Sequence, residues 1–301
     1  MAGLGKNVGT NFSLRSRMNG SVSTSKGNIR CWYFTDGIRM MGGSGFMGDR
    51  LLPSAHFEAI EGKKITVSFF NQSMMDHTIH LHGLDVDQRN DGVPSTSFSV
   101  PRMGRATYTF VAPHAGTYHY HCHVDTVLHY EMGMVGAVIV RPPNASTKQA
   151  WTNGPTFDEE VLWHLHTMDT SWHNETISGP KTARHRPDVF LLNGKESSAA
   201  KTDPYTRIVL PQGKTAYLRL LNCGYQWARV SLSGIPFQVV ASDGRPMRNP
   251  VSAKTWELGP GERYDLLIPA KTKGSYAARV DYLDDFTGKV LGTAQTQLIV
   301  T

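Results

Sequence analysis

Two short stretches hold most of the residues able to bind a metal or carry electrons. HTIHLHG begins at His77 and HYHCHVDTVLHYEMGM begins at His119. Together they contain seven of the chain's thirteen histidines and one of its three cysteines. A mononuclear blue-copper site uses two His nitrogens and one Cys thiolate in a plane, with a long axial Met. One His usually comes from an early strand, and the Cys, second His and Met from the loop after a late strand. Here His77 precedes Cys122 by 45 residues, and Cys122, His129 and Met134 follow in one segment. The His-x4-Met spacing, with Gly133 just before Met134, lets that segment turn the thioether back toward the metal. Zinc also accepts Cys and His, but its sites usually pair cysteines, and Cys122 has no neighbouring Cys.

Two His-x-His pairs remain, His80/His82 and His121/His123. Side chains at i and i+2 of a strand share a face, so each pair can aim two imidazoles at one point. Cys122 lies between His121 and His123 and points the other way. One strand can therefore serve two metal centres joined by a short covalent path. His119 has the parity of His121, as an outer group of that centre or as a strand residue in an aromatic position. His56 and His114 read as surface histidines. His164 and His166 alternate on a strand of the second half and could face a neighbouring subunit, while His173 and His185 have no such setting. Asp85, Asp87, Asp91 and Glu131 are candidate proton relays or substrate contacts, set against the plainer role of solvated loop carboxylates.

The elements that must position these groups are β-strands. Short runs such as KKITVSFF, ATYTFVA, GAVIVRP, TAYLRLLN and YDLLIPA alternate with Gly, Pro, Asn and Asp. The reading is all-β, with two tandem Greek-key β-sandwich domains. Residues 1–28, rich in Gly, Ser and Asn, read as a flexible N-terminal segment. Domain one then spans 29–143, the polar segment 144–155 is a linker, and the copper-poor domain two spans 156–301. EGKKITVSFFNQ (61–72) and PQGKTAYLRLLNC (211–223) look like one motif repeated, as do HAGTYHYH (114–121) and TKGSYAARV (272–280). No apolar run is long enough to span a bilayer, and no signal peptide is visible. The net charge of +6 is scattered, which argues against nucleic-acid binding. Three cysteines make no disulfide framework, although a bridge between Cys31 and Cys223 is conceivable beside two free thiols.

HTIHLHGLDVDQRNDGVP followed by GTYHYHCHVDTVLHYEMGMVGAVIV resembles the multicopper oxidases, the laccase-like enzymes built from cupredoxin domains. FLLNGK, GIPFQVVASDGRPM and PGERYDLLI resemble a copper-poor laccase domain. The combination is similar to two-domain members with the blue site in domain one, which implies a homotrimer. By position, the resemblance gives His77, Cys122, His129 and Met134 to a type 1 copper. It makes His80 a type 2 ligand, and His82, His121 and His123 type 3 ligands. It implies up to four copper ions per chain and an extracellular or periplasmic location. A small reducing substrate (a phenol, an aromatic amine or a metal ion) would give single electrons at the exposed edge of His129. These would pass through Cys122 and its flanking histidines to a second centre that reduces O2 to water. Two features depart from the pattern. Six residues separate Cys122 from His129 where laccases have four. A trinuclear cluster takes eight histidines, and domain one supplies four; His164 and His166 are tentative ligands for the rest, with a one- or two-copper second site as the alternative. A copper nitrite reductase-like enzyme and a blue-copper electron-transfer protein are the rival functions.

Overall fold

The computed structural model describes residues 4–6, 8–36, 50–174 and 184–301. Alternation sets the strands: in Lys64–Asn71, Ile65, Val67, Phe69 and Asn71 face inward and the residues between face outward. The first half forms β1 (Asn11–Thr24), β2 (Gly27–Thr35), β3 (Ser54–Ile60), β4 (Lys64–Asn71), β5 (His80–His82), β6 (Arg105–Val111), β7 (Gly116–His121), the helix α1 (Thr126–Glu131) and β8 (Val135–Arg141). Its sheets run β2-β1-β4-β6 and β3-β8-β7-β5. They close on a core that includes Trp32, Phe34, Phe57, Phe69, Tyr108 and Tyr120.

The second half forms β9 (Glu159–Met168), α2 (Thr170–Asn174), β10 (Val189–Leu192), α3 (Ser197–Ala200), β11 (Ile208–Leu210) and β12 (Thr215–Asn222). It continues with β13 (Trp227–Ser231), β14 (Phe237–Ser242), β15 (Arg245–Ala253), β16 (Thr255–Leu258), β17 (Arg263–Pro269), β18 (Gly274–Leu283) and β19 (Val290–Val300). The sheets are β10-β9-β12-β17-β14-β15 and β11-β19-β18-β13-β16.

The two sandwiches repeat one plan. β4 lies between a parallel β1 and an antiparallel β6; β12 lies between a parallel β9 and an antiparallel β17. The asparagines that end these strands do the same work. Asn71 Nδ2 donates to the carbonyls of Met75 and Val100, and Asn222 Nδ2 to those of Gln226 and Leu258. Each Oδ1 accepts the backbone N–H two residues on, from Ser73 and Gly224. The later motif repeats too: the hydroxyls of Tyr118 and Tyr276 both donate to the carbonyl four residues back, at His114 and Thr272.

This repeat overturns the reading of residues 1–28 as a flexible segment. Residues 11–24 are β1, the counterpart of β9, paired with both β2 and β4. The polar composition hid an inward row of Phe12, Leu14, Ser16 and Gly20. Gly20 is required by close approach, since a Cβ there would meet Cys31 Sγ at 2.7 Å. Residues 1–3 and 7 of that segment lie outside the described residues. All three cysteines are free and buried, so Cys31 and Cys223 are not bridged.

A buried ionic cluster joins the halves. Arg141, ending β8, donates from Nε to Glu58 at 2.6 Å and from both Nη atoms to Glu160 at 2.8 Å. Arg219 on β12 also donates to Glu160, at 2.6 Å, and to Thr117 on β7, at 2.8 Å. Thr117 in turn donates to Asp265 at 2.6 Å. The strands β7 and β8, which flank Cys122 and Met134, are thereby tied to domain two.

Candidate metal centres

His77 Nδ1, Cys122 Sγ and His129 Nδ1 form a nearly equilateral triangle with edges of 3.1, 3.2 and 3.3 Å. His77 pairs across an isolated bridge with Val100, Cys122 follows β7, and His129 sits on α1. α1 is why six residues separate Cys122 from His129: the intervening chain makes a helical turn before returning. The backbone then closes the loop, with Met134 N–H donating to His129 O and Cys122 N–H to Met134 O. Met134 is buried in the same core as Cys122. The site is dry. Burial lowers the His77 imidazole to about 2, helped by His129, and lowers His129 to about 4. Burial pushes the Cys122 thiol up to about 12. Neutral imidazoles and a thiol that ionises only beside a cation are what a metal needs from this triangle.

The paired histidines meet as their parity requires. β5 and β7 run antiparallel, with His80 opposite His121 and His82 opposite His119. Donor atoms of His80, His82 and His121 all lie within 4.8 Å of one another. The His123 ring is 5.1 Å from that of His80. The other ring nitrogens are held from behind: His80 Nδ1 donates to Asp91 O at 2.8 Å, and His121 Nδ1 to Cys122 O at 2.9 Å. Metal-ligating histidines are characteristically oriented this way. Burial, then the charge of Arg263, lowers His82 to about 4, and burial lowers His121 well below its ordinary range.

Family models described as multicopper oxidase match residues 31–145 and 161–301, together the greater part of the chain. This chain belongs to the multicopper oxidase family. It is 32% identical over 229 residues to Laccase-3 of Botryotinia fuckeliana, covering 73% of this chain and 48% of that protein. It is 29% identical over 244 residues to Oxidoreductase OpS5 of Beauveria bassiana, covering 74% and 38%. The chain thus spans less than half the length of these relatives. The crystal structure of Blue Copper Oxidase from Nitrosomonas europaea superposes with a TM-score of 0.78 at 25% identity, covering 96% of this chain and 85% of that one. Both halves are cupredoxin-like Greek-key sandwiches.

Copper, the metal this family implies, fits the thiolate triangle: one soft sulfur and two neutral imidazoles converge in a fully buried pocket. It fits the His80/His82/His121 group as well, as an all-imidazole site.

Other residues sit differently from expectation. His129 has no exposed edge; it is fully buried, with Trp32 edge-on at 5.1 Å. Trp32 of β2 covers the ring, so His129 presents no edge to solvent. His164 and His166 do not face a neighbouring subunit. They are 2% and 3% exposed inside the chain, because β9 turns this face toward domain one. His166 Nδ1 donates to Cys223 O at 2.5 Å, and its Nε2 stands 3.4 Å from Glu131 O. His56 is not a surface residue either, being buried beside Glu58, whereas His114 is exposed.

The four carboxylates divide. Asp85 is exposed and pairs with Arg245, and Asp87 caps the short turn at 88–90. Asp91 touches His80. Glu131 is no loop carboxylate: it is 1% exposed and accepts from His173 Nε2 at 3.3 Å, His185 Nε2 at 3.0 Å and Asp169 N–H at 2.6 Å. Burial works against its charge, but the bonds from His173 and His185 hold the carboxyl well below the ordinary range. His119 is the group the sequence undervalued. It stacks on His82 at 4.1 Å, is fully buried, and its Nδ1 has no hydrogen-bond partner. The signal was present in the unbroken series 119, 121, 123.

Proposed function

We propose that this chain acts as a laccase-like oxidase. It would take single electrons from a small reducing substrate (a phenol, an aromatic amine or a metal ion) on the thiolate side, with O2 as the acceptor on the imidazole side. The observation that carries this reading is the position of Cys122. Its sulfur completes the triangle with His77 and His129, while its chain neighbours His121 and His123 point into the other cluster. Copper bound at these groups supplies one-electron redox chemistry. The chain's own contribution is geometric and electrostatic. β7 fixes the two groups at the separation of adjacent residues, giving electrons a short covalent route. The hydrogen bonds behind His80 and His121 hold those rings in place, and the apolar core around Cys122 excludes water.

The reading includes a homotrimer, with the imidazole group near a subunit boundary. Support comes from the part-exposed rings of His80, His82 and His123. The test is oxygen uptake by copper-loaded protein given a phenol or an aromatic amine. Uptake that Cys122→Ser abolishes is expected. Absence of uptake with every such donor, in protein showing the intense copper–thiolate band, would overturn the reading.

A further inference from the structure

With no edge of His129 at the surface, the place where a reducing substrate approaches is sought along α1, the helix that carries it. A cavity of 560 Å³ borders that helix. Domain two builds it from residues 184–187, 225–226, 284–286 and Leu291. Two bonds tie its lining to α1. Tyr225 donates its hydroxyl to Val127 O at 2.7 Å, and His185 Nε2 donates to Glu131 at 3.0 Å. Glu131 ends α1, two residues after His129. A second cavity, beside His82, His119 and His121, also reaches α1. At 170 Å³ it is smaller than the roughly 300–1,000 Å³ typical of small-molecule sites.

The lining of the larger cavity selects its occupant by two properties. One is exposed apolar surface. Phe286 is 86% exposed, with Arg184 over its ring at 5.5 Å, and Leu291 is 42% exposed. Tyr225 meets the His185 ring edge-on at 5.2 Å. Rings grouped in this way are a surface on which another aromatic ring packs. The other property is charge. Asp284 Oδ1 accepts from the N–H groups of Phe286 and Thr287 and from the Thr287 hydroxyl, and Asp285 Oδ1 accepts from Trp227 N–H. Arg184 lies 3.9 Å from Asp284 Oδ2. His185 has both ring nitrogens engaged, by Glu131 and Gln226, so it offers the cavity its ring alone. Arg186 gives its backbone N–H to Asp169, while its exposed guanidinium pairs with no carboxylate among the described residues. The two acids are answered by donors of the chain itself, and the cation of Arg186 is left for a guest.

We propose that this cavity binds the reducing substrate and that the substrate is a phenol carrying a carboxylate. Its ring packs among Tyr225, Phe286 and Leu291, and its carboxylate pairs with Arg186. This rests on the oxidase reading. In that reaction the phenol loses one electron toward the thiolate site and its hydroxyl proton to water, becoming a phenoxyl radical, with O2 as the terminal oxidant.

Isothermal titration calorimetry on the copper-loaded full chain, reduced and kept free of oxygen so that no electron leaves the probe, measures binding alone. The probes are 4-hydroxycinnamate and its neutral methyl ester. The acid should bind about fivefold more tightly than the ester, the size expected of one exposed ion pair. Arg186→Gln should erase that preference. Leu291→Trp, which fills the cavity, should weaken acid and ester together. In air, Arg186→Gln should raise KM for the acid about fivefold, to the value for the ester. Equal binding of acid and ester, or tighter binding of the ester, would overturn the proposal. So would a preference that survives Arg186→Gln, or a Leu291→Trp protein that binds both probes as before. Binding as expected without oxygen uptake would sink the oxidase reading and leave this site standing; oxygen uptake that does not distinguish acid from ester would do the reverse.

Discussion

Glu160 holds together the ionic cluster that binds domain two to β7 and β8, and Glu160→Ala should expose how much that cluster matters. Its carboxylate accepts two bonds from Arg141 at 2.8 Å and one from Arg219 at 2.6 Å, and both guanidiniums are fully buried. Charge-assisted bonds of this kind contribute about 1.5–3 kcal/mol each. Their sum overstates the loss, because Arg141 keeps Glu58 and Arg219 keeps Asp265 at 3.6 Å. Removing one member of a buried ion pair typically costs about 3–5 kcal/mol. At about 2 °C per kcal/mol for a chain of this size, the melting temperature should fall by roughly 6–10 °C. Differential scanning calorimetry on the metal-free protein measures this directly. Acid should weaken the same cluster. Burial would raise the Glu58 carboxyl, but His56 and Arg141 together hold it down at about 2, against 4.5 when unperturbed. Between those values the unfolded chain binds the proton that the folded chain refuses. Stability is therefore fully present above pH 4.5 and falls as pH drops toward 2, by about 3 kcal/mol at about 1.4 kcal/mol per pKa unit. A melting temperature within about 1 °C of the unmodified protein would refute the reasoning for Glu160. A flat profile between pH 4.5 and 2 would refute it for Glu58.

Three further outcomes are expected. Cys122→Ser should abolish the copper–thiolate band in the visible spectrum, and a band that survives would remove Cys122 from the site. Glu131→Gln should destabilise the protein by about 2–3 kcal/mol, because the amide cannot accept from three donors and sets an N–H against one of them; chemical denaturation checks this, and an unchanged midpoint counts against the bridge to His173 and His185. Gly92→Ala should weaken copper binding at the His80 group, since Gly92 has φ +72° and a Cβ there would lie 2.1 Å from the Ile79 carbonyl oxygen and 3.1 Å from the His80 backbone nitrogen, displacing the chain that carries His80; a copper titration giving unchanged affinity would show that the turn adapts.

Much of the site was legible because its rules are local. Parity along a strand separates Cys122 from His121 and His123 whatever the rest of the fold does. The loop from Cys122 to Met134 keeps its donors in one short segment. The repeated Asn and Tyr motifs were legible for a similar reason: each satisfies backbone groups within four residues of itself, at Met75 and Gln226 for the asparagines and at His114 and Thr272 for the tyrosines. β1 was missed because a serine and a glycine, Ser16 and Gly20, share its inward row with Phe12 and Leu14, and its outward row is polar, so a buried strand carried the composition of a loop.

What stayed hidden depends on contacts between elements distant in sequence. Glu131 stands two residues after His129, in a stretch that looks polar, and only the approach of α2 and residues 185–188 makes it a buried acceptor. His164 and His166 show the reverse error. A His-x-His pair on a strand can converge on a metal only if the facing surface offers room and further donors. On β9 the facing surface is a carbonyl of α1 on one side and Cys223 O on the other, and both ring nitrogens of His166 are taken up there. β5 differs because its partner β7 brings a second histidine series into register, His80 against His121 and His82 against His119. The same local pattern therefore makes a donor group where two series face each other and a packed interface where one series faces backbone. That difference decides where along this chain several imidazoles can be brought to one point.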